Sequence, residues 1–375
     1  MSRVTPTEVR AFAPGRVNLI GEHTDYNQGL ALPFAIGGGV TVRARTTAGC
    51  RIRAAALDLG ERDEFALPDR HGRATPERAG GWRAFVRGVA IELRRAGVPV
   101  RGADLEISGS LPAGAGLSSS AALAVSLGRA LLGLADAGLD GRALARLCAR
   151  VENEWVGAQT GLLDQMASIF GERDRALRID FADLGLRSVP LALEGGWRLA
   201  VLDSGEPRAL AASGYNARRR ECARASELLG VDSLREATPS SLERLPSLLA
   251  RRVSHVLSEN ARVDAAVSAL DGGDLHELGR LLDAAHASLR DLYECSTAAV
   301  EAAVRRLKRA GAAGARIVGG GFGGHVLGLF PPAAEPPAGA RTVRPSAGAR
   351  LLDRDGSTGA RGRPGAGRRD SDSPP

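Results

Sequence analysis

The stretch Ala13-Pro-Gly-Arg-Val-Asn-Leu-Ile-Gly-Glu-His-Thr-Asp-Tyr-Asn27 decides how this chain is interpreted, because it gathers more polar groups than packing requires. A Pro-Gly turn and a short apolar step lead into side chains that both donate and accept hydrogen bonds: Asn18, Glu22, His23, Asp25 and Tyr26. This mixture suits a ligand with several hydroxyl groups, each of which needs a partner once it is buried. The stretch therefore predicts a sugar-binding site, with a capped turn at Thr24 or Asp25 as the purely structural alternative.

The length and charge of the chain narrow its class. Its 375 residues exceed the roughly 250–300 at which a single core stops growing, so we expect one large two-lobed unit or two domains. The net charge of +7 is compatible with nucleic-acid binding, but the arginines occur as pairs along predicted helices, without interleaved aromatic residues. We therefore expect no nucleic-acid partner, whereas anionic ligands such as nucleotide phosphates would be attracted.

The cysteine pattern bears on the compartment. Cys50, Cys148, Cys222 and Cys295 are far apart and lack the spacing of metal ligands. The sequence shows neither a signal peptide nor an apolar run long enough to span a membrane. We expect a cytoplasmic protein with reduced thiols and no membrane contact.

A second stretch, Ile107-Ser-Gly-Ser-Leu-Pro-Ala-Gly-Ala-Gly-Leu-Ser-Ser-Ser-Ala-Ala122, is typical of an anion-binding loop. It follows a predicted strand over 103–107 and precedes a predicted helix over 121–134. Its glycines let the backbone approach a ligand, and the free amides at the start of the helix attract negative charge. The loop predicts a triphosphate site with a serine hydroxyl within reach of Mg²⁺, although a plain Gly/Ser turn is the alternative. It lacks the lysine of a Walker loop and the spacing of a Rossmann fingerprint.

A third stretch, Arg316-Ile-Val-Gly-Gly-Gly-Phe-Gly-Gly-His-Val-Leu-Gly-Leu329, places five glycines between a predicted strand end at Ile317-Val318 and a predicted strand over 326–329. Backbone without side chains can come close to a ligand, whereas a glycine-rich turn is the alternative. We interpret His325 as structural rather than catalytic.

Two further segments carry carboxylates. Residues 144–156 show helical apolar spacing and contain Glu152 and Glu154, either of which could be a solvated helix charge. Asp164 lies among apolar neighbours, where an unpaired carboxylate is unfavourable, so we expect it to have a partner. Further helices are predicted over 217–229, 247–270, 275–289 and 297–310, and strands over 39–45 and 51–56.

The three stretches together resemble the three motifs of the GHMP small-molecule kinases, and Gly-Glu-His-Thr-Asp-Tyr narrows the resemblance to the galactokinases. The resemblance covers residues 10–352 and implies an α+β, two-lobed fold with the active site in the cleft between the lobes. We expect an N-terminal lobe over 1–185 and a C-terminal lobe over 186–352. Residues 353–375 contain almost no apolar side chains, and we expect this tail to be disordered.

The resemblance also implies roles for individual residues. Asp164 and Arg16 form the catalytic pair, with Asp164 as either a base or a positioning group. Ser120 and Glu152 hold Mg²⁺. The sugar is bound by Glu22, His23, Thr24, Asp25 and Tyr215, and ATP is bound by Gly114, Ala115, Gly116, Leu117, Ser118, Ser119 and Ser120.

The implied activity is ATP-dependent phosphorylation of D-galactose at its anomeric hydroxyl by a monomer or weak homo-oligomer. Two alternatives remain open at this point. One is a sensor that binds galactose and ATP with little turnover, and the other is a kinase for N-acetylgalactosamine or a related sugar.

Overall fold

The computed structural model describes residues 7–68, 77, 79–111, 116–191, 193–206 and 211–352. Gly114 and Ala115 of the predicted triphosphate loop lie outside these residues, as does the predicted disordered tail over 353–375. In the part of the chain that is described, no helix combines the length and apolar character needed to cross a membrane.

A six-stranded sheet forms the centre of the N-terminal lobe. Its order is β13-β1-β3-β6-β4-β5, and every neighbouring pair is antiparallel except β4 and β6. Burial alternates along β4, as expected for a strand with one face on the core. The strands are β1 (Glu8–Asn18), β3 (Pro33–Thr46), β4 (Arg51–Ala56), β5 (Glu61–Ala66), β6 (Ala103–Gly109) and β13 (Arg350–Leu352).

Four helices complete this lobe. The apolar helix α2 packs directly on β1 and β3, and it begins where the predicted triphosphate loop ends. The helices are α1 (Trp82–Arg95), α2 (Ser119–Leu134), α3 (Gly141–Arg150) and α4 (Leu163–Phe170).

The C-terminal lobe contains a four-stranded antiparallel sheet of order β10-β11-β9-β12 and four long helices. Its strands are β9 (Arg198–Asp203), β10 (Gly314–Ile317), β11 (His325–Phe330) and β12 (Arg341–Val343). Its helices are α5 (Ala211–Leu229), α6 (Ser247–Asp271), α7 (Leu275–Asp291) and α8 (Ala298–Arg309). A third sheet pairs β2 (Leu30–Ala31) with β7 (Arg175–Asp180) and β7 with β8 (Gly185–Pro190). Short 3-10 helices occupy Asp25–Asn27, Leu57–Leu59, Glu194–Gly196, Leu234–Glu236 and Pro239–Arg244.

The α+β class is confirmed, and two local predictions are corrected. Pro14 and Gly15 do not form a turn, because β1 continues through them with a β-bulge between Pro14 and Arg16. The helix predicted over 144–156 ends at Arg150 and continues as a π-helical turn, Val151–Val156. Both departures re-aim a side chain that lies in the site described below.

The two lobes share a hydrophobic core. Val17 and Leu117 from the N-terminal half pack in one cluster with Val263 of α6, Leu282 of α7 and Leu329 of β11. The predicted lobe boundary at 185/186 falls at the first residue of β8, which pairs with β7. We propose a division at 193–197 instead, because it leaves this hairpin intact, with β13 returning to the N-terminal lobe to pair with β1.

Candidate active site

A cavity of about 240 Å³ opens between the lobes. The first and third stretches contribute residues to its wall, and the second stretch lies beside it. The lining residues are Arg16, Glu22, His23 and Asp25 of the first stretch, Gly157–Gly161, Leu163 and Asp164 at the start of α4, Tyr215 and Asn216 of α5, and Gly319–Gly321 of the third stretch. The cavity is smaller than the roughly 300–1,000 Å³ of drug-sized sites and suits a single sugar ring.

Arg16 and Asp164 form an ion pair on the cavity wall. The Arg16 Nη2 lies 2.7 Å from the Asp164 Oδ1, and the Ser118 hydroxyl donates to the other carboxylate oxygen over 2.5 Å. Arg16 is only 5% exposed. The carboxylate thus has the cationic partner that its apolar surroundings require, and charge-assisted bonds of this kind are strong.

The bulge in β1 explains how Arg16 reaches this position. A Cβ at Gly15 would lie 2.3 Å from the Leu117 carbonyl oxygen, so only glycine permits the close approach. The Arg16 amide donates to that same carbonyl over 3.1 Å, and its Nη1 donates to the Gly116 carbonyl over 2.9 Å. Arg16, a member of the predicted catalytic pair, is therefore hydrogen-bonded directly to the end of the predicted triphosphate loop.

The described part of that loop has the backbone of a helix N-terminus open to a ligand. Gly116 and Ser118 both adopt positive φ angles, 68° and 62°. The Ser118 side chain makes no capping bond to α2, so the first amides of the helix, from Ser119 onward, are not satisfied by it. This arrangement favours an anion at the start of α2.

Ser120 and Glu152 meet behind this helix start. The Ser120 hydroxyl donates to the Glu152 Oε1 over 2.7 Å, while Thr160 and Gln165 donate to the Oε2 over 3.2 and 2.8 Å. Burial, followed by the nearby Asp164 charge, raises the pKa of Glu152. Glu154, the other candidate carboxylate, is exposed. The structure therefore favours Glu152 as the carboxylate that acts together with Ser120.

The donor set at Ser120 and Glu152 fits Mg²⁺. Both groups are hard oxygens, and Mg²⁺ commonly takes one or two protein ligands beside water and phosphate. The described residues contain no cluster of three or more His, Cys, Asp or Glu side chains that could enclose a metal alone. A hydroxyl and one carboxylate next to an anion site match this kind of binding.

Glu22 connects the first and third stretches. Its Oε1 accepts from the Gly319 amide over 2.7 Å and lies 3.5 Å from the Arg316 Nη2. From the other side, Glu259 of α6 accepts from the Gly21 amide over 3.0 Å. Burial alone would raise the pKa of Glu259, but Arg262, His255 and Arg316 outweigh it, and the pKa falls to about 2.

His23, Asp25 and Tyr215 face the cavity in different electrostatic states. Burial, together with the neighbouring His255, lowers the pKa of His23 to about 3, so its ring is neutral. Burial and the Asp164 charge raise the pKa of Asp25 to about 6. The Tyr215 ring lies 5.2 Å from the His23 ring, and burial raises its pKa well above the usual value.

Thr24 has a structural position. It is fully buried, and its hydroxyl points to the Gly21 and Leu30 carbonyl oxygens at 3.0 and 2.7 Å. It does not line the described part of the cavity. Its side chain therefore closes the turn that carries its neighbours, and a sugar contact of Thr24 stays a prediction.

His325 also lies away from the cavity lining. It is the first residue of β11, opposite Asp203 of β9, and it is 7% exposed. This position agrees with a structural role.

Comparison with known proteins places this geometry in a family. Three family models match: "Galactokinase galactose-binding signature" at residues 3–46, "GHMP kinases N terminal domain" at 84–172 and "GHMP kinases C terminal" at 266–349. A galactokinase of Roseiflexus sp. (strain RS-1) is 42% identical over 329 residues, which are 84% of this chain and 82% of that protein. The chain belongs to the galactokinase family. The resemblance drawn from its three motifs is confirmed.

Further relatives support the family and the fold. A galactokinase of Thermotoga neapolitana is 39% identical over 85% of this chain and 88% of its own length. The crystal structure of Lactococcus lactis galactokinase complexed with galactose aligns with a TM-score of 0.84 at 31% identity, covering 93% of this chain and 96% of that one. A mevalonate kinase aligns at 0.61 with 19% identity over 87% of this chain and 91% of that one, which shows the shared fold.

Several residues of this galactokinase-family site were not predicted from the sequence. Thr160 and Gln165 support Glu152, and Glu259 and His255 hold the backbone of Gly21 and Glu22. Gln165 directly follows Asp164 in the chain, and this position beside a predicted catalytic residue could have identified it. Glu259 contacts a residue 238 positions away, which no local pattern reveals.

Proposed function

We propose that the chain transfers the γ-phosphoryl group of ATP to the anomeric hydroxyl of α-D-galactose, giving α-D-galactose 1-phosphate and ADP. The observation that carries this proposal is the Arg16–Asp164 pair, which lines a sugar-sized cavity and is bonded to the loop at the start of α2. The family relationship supplies the kinase activity.

In this proposal Asp164 accepts or orients the proton of the attacking hydroxyl. Arg16 pairs with this carboxylate and would stabilise the charge that builds up between the attacking oxygen and the γ-phosphorus. Ser118 holds the second carboxylate oxygen, so that the group cannot rotate freely. Phosphoryl transfer through a loose transition state needs mainly alignment and charge stabilisation, which this pair provides without a covalent intermediate.

The phosphates would lie against Gly114–Ser120 and the first amides of α2. Ser120 and Glu152 would hold Mg²⁺, which when bound neutralises charge on the phosphate oxygens. Burial and the Asp164 charge favour the neutral form of Glu152 and raise its pKa, so a cation bound beside it would stabilise the anion and lower that pKa.

The sugar hydroxyls would be bound by Glu22, His23, Asp25 and Tyr215, all of which line the cavity. Thr24 would contribute by holding the turn that carries His23 and Asp25. Carboxylates accept hydrogen bonds from hydroxyls, and His23 and Tyr215 can donate, so the set matches a polyhydroxylated ring.

We also propose a cytoplasmic enzyme that works as a monomer or weak homo-oligomer on small molecules without a nucleic-acid partner. The scattered arginine pairs and the widely spaced cysteines support this assignment.

The test is coupled ADP release by purified protein with Mg-ATP and one acceptor at a time. The acceptors are D-galactose, N-acetylgalactosamine, L-arabinose, mevalonate, homoserine and none. We expect the D-galactose rate to exceed all others. Calorimetric galactose binding without ADP release would point to a sensor, and a higher rate with N-acetylgalactosamine would reassign the sugar.

A further inference from the structure

All three tyrosines of the chain lie in one cluster around His23, in which Tyr293 is fully buried and Tyr26 and Tyr215 are partly buried. The ring centroids of Tyr26, Tyr215 and Tyr293 are 5.9, 5.2 and 4.5 Å from that of His23. Tyr215 lines the cavity, but Tyr26 and Tyr293 lie behind His23 and do not appear in the described lining. Their hydroxyls must therefore serve the protein itself.

These hydroxyls form a continuous chain of hydrogen bonds. The His23 Nε2 lies 3.2 Å from the Gly320 carbonyl oxygen, and its Nδ1 lies 2.8 Å from the Tyr26 hydroxyl. The Tyr26 and Tyr293 hydroxyls are 2.8 Å apart, and the Tyr293 hydroxyl is 3.1 Å from the Cys222 Sγ. The chain runs from the third-stretch backbone through the first stretch to α5.

The donor and acceptor of every bond in this chain follow from the bond between the His23 Nε2 and the Gly320 carbonyl oxygen. A carbonyl oxygen can only accept, so His23 Nε2 carries a hydrogen and donates to Gly320. Burial lowers the pKa of His23 to about 3, and a neutral ring has one N–H, which leaves Nδ1 as an acceptor. Tyr26 must therefore donate to Nδ1, Tyr293 must donate to Tyr26, and the Cys222 thiol must donate to Tyr293.

We propose that Tyr26 is a positioning residue that holds His23 in the tautomer protonated at Nε2, with that donor directed to the Gly320 carbonyl and the cavity. The tautomer of a histidine is set by the bond that its other nitrogen makes. While Nε2 keeps its bond to the Gly320 carbonyl, the Tyr26 hydroxyl donates to Nδ1, so both bonds favour the same tautomer. His23 then offers the sugar a donor and not an acceptor. This last consequence rests on the proposed function, whereas the tautomer does not.

The direction of the chain separates two variants that each lose one buried hydroxyl. Tyr26→Phe removes the donor to Nδ1. Tyr293→Phe removes a donor to Tyr26 but leaves Tyr26 able to donate to His23. Tyr293→Phe is therefore the matched control for general damage to the cluster.

The first readout is the tautomer, measured on full-length protein labelled with ¹⁵N-histidine. Long-range ¹H–¹⁵N correlation distinguishes protonated, hydrogen-bonded and free ring nitrogens, and His23 is assigned by its loss in His23→Gln. We expect an Nε2–H ring with a hydrogen-bonded, unprotonated Nδ1 in the wild type and in Tyr293→Phe. In Tyr26→Phe the Nδ1 resonance should move to the free position or split between tautomers. A wild-type ring protonated at Nδ1, or an Nδ1 resonance unchanged in Tyr26→Phe, would overturn the proposal.

The second readout is kinetic. One lost hydrogen bond of ordinary strength should raise the KM for galactose on the order of three- to tenfold in Tyr26→Phe, with kcat and the KM for ATP changed less than about twofold. Tyr293→Phe should raise the galactose KM less. Equal losses of kcat and both KM values in the two variants would indicate damage to the fold instead. If galactose is not the acceptor, the kinetic measurement gives no galactose-dependent rate. The tautomer measurement then still tests the proposal by itself.

Discussion

At the scale of single residues, two carboxylates of the site, Asp164 and Glu152, lie in different environments. Asp164 is paired with the Arg16 guanidinium, whereas Glu152 accepts from the neutral side chains of Ser120, Thr160 and Gln165. Burial and the nearby Asp164 charge disfavour the anion and raise the pKa of Glu152, although the hydrogen bonds from its three neutral partners act in the opposite direction. A bound cation would stabilise the Glu152 anion, which supports our proposal that Asp164 belongs to the reacting site and Glu152 to a metal site.

The metal assignment predicts a specific defect in Glu152→Gln. The amide keeps the size of the side chain but loses the negative charge, so the Mg²⁺ concentration for the half-maximal rate should rise severalfold. A titration of rate against Mg²⁺ at saturating substrates measures it. The matched control is the exposed Glu154→Gln, which should titrate like the wild type. Superimposable curves for all three proteins would refute the assignment.

The raised pKa of Asp25 predicts a pH dependence of sugar binding. Its pKa of about 6 lies above the ordinary 3.8, so the folded protein keeps this proton until the pH passes about 6. Only the ionised form accepts from sugar hydroxyls with both oxygens. Galactose affinity, measured by calorimetry, should therefore increase from pH 5 to pH 7 and then level off. Asp25→Asn should bind more weakly and show a flatter profile; an equally steep profile in this variant would mean that Asp25 is not the group that titrates.

At the scale of elements, regular patterns were predictable from the sequence and close approaches were not. The predicted strand over 51–56 is β4, and the helix predicted over 247–270 is α6, because both follow a clear periodicity. The bulge at Pro14–Gly15 depends on the Leu117 carbonyl, and the turn at Thr24 depends on Leu30. Such features are decided by a partner from another element, so the sequence pattern alone predicted a turn at the first and could not identify the partner of the second.

The loop over 157–161 offers a test of close packing against the site. A Cβ at Gly161 would lie 2.0 Å from the Asp25 Oδ2. Gly161→Ala should therefore displace the carboxylate and raise the KM for galactose severalfold while changing the KM for ATP little. Gly138→Ala is the control, because a Cβ there has no neighbour within 4 Å. Wild-type kinetics in Gly161→Ala would mean that Asp25 does not bind the sugar in this position.

At the scale of the whole molecule, the site depends on contacts between the lobes. The Arg316 guanidinium donates to the Leu19 carbonyl over 2.8 Å, and Gly319 donates to Glu22. The core shared by Val17, Leu282 and Leu329 lies beneath these bonds. No local pattern identified Arg316 as a residue that connects the third stretch to the first, or Glu259 as the residue that connects α6 to the first.

The shared core predicts cooperative unfolding. Leu282 is fully buried in the cluster that both lobes build, so Leu282→Ala should lower the free energy of unfolding by about 2–5 kcal/mol. Calorimetry should show one transition, shifted to lower temperature as a whole. Leu127→Ala, a fully buried substitution within the N-terminal core, should shift the same single transition. Two separate transitions, of which each variant moves only one, would mean that the lobes unfold independently.

The most direct test of the account compares the wild type with Asp164→Asn for galactose-dependent ADP release and, in the same preparations, galactose binding by calorimetry. If Asp164 acts on the anomeric hydroxyl while other groups bind the sugar, the variant should bind galactose within severalfold of the wild type and lose at least about 100-fold in kcat, since general acid–base groups contribute on that order. Galactose turnover by Asp164→Asn at the wild-type rate, or a wild type that releases no ADP with galactose, would contradict it.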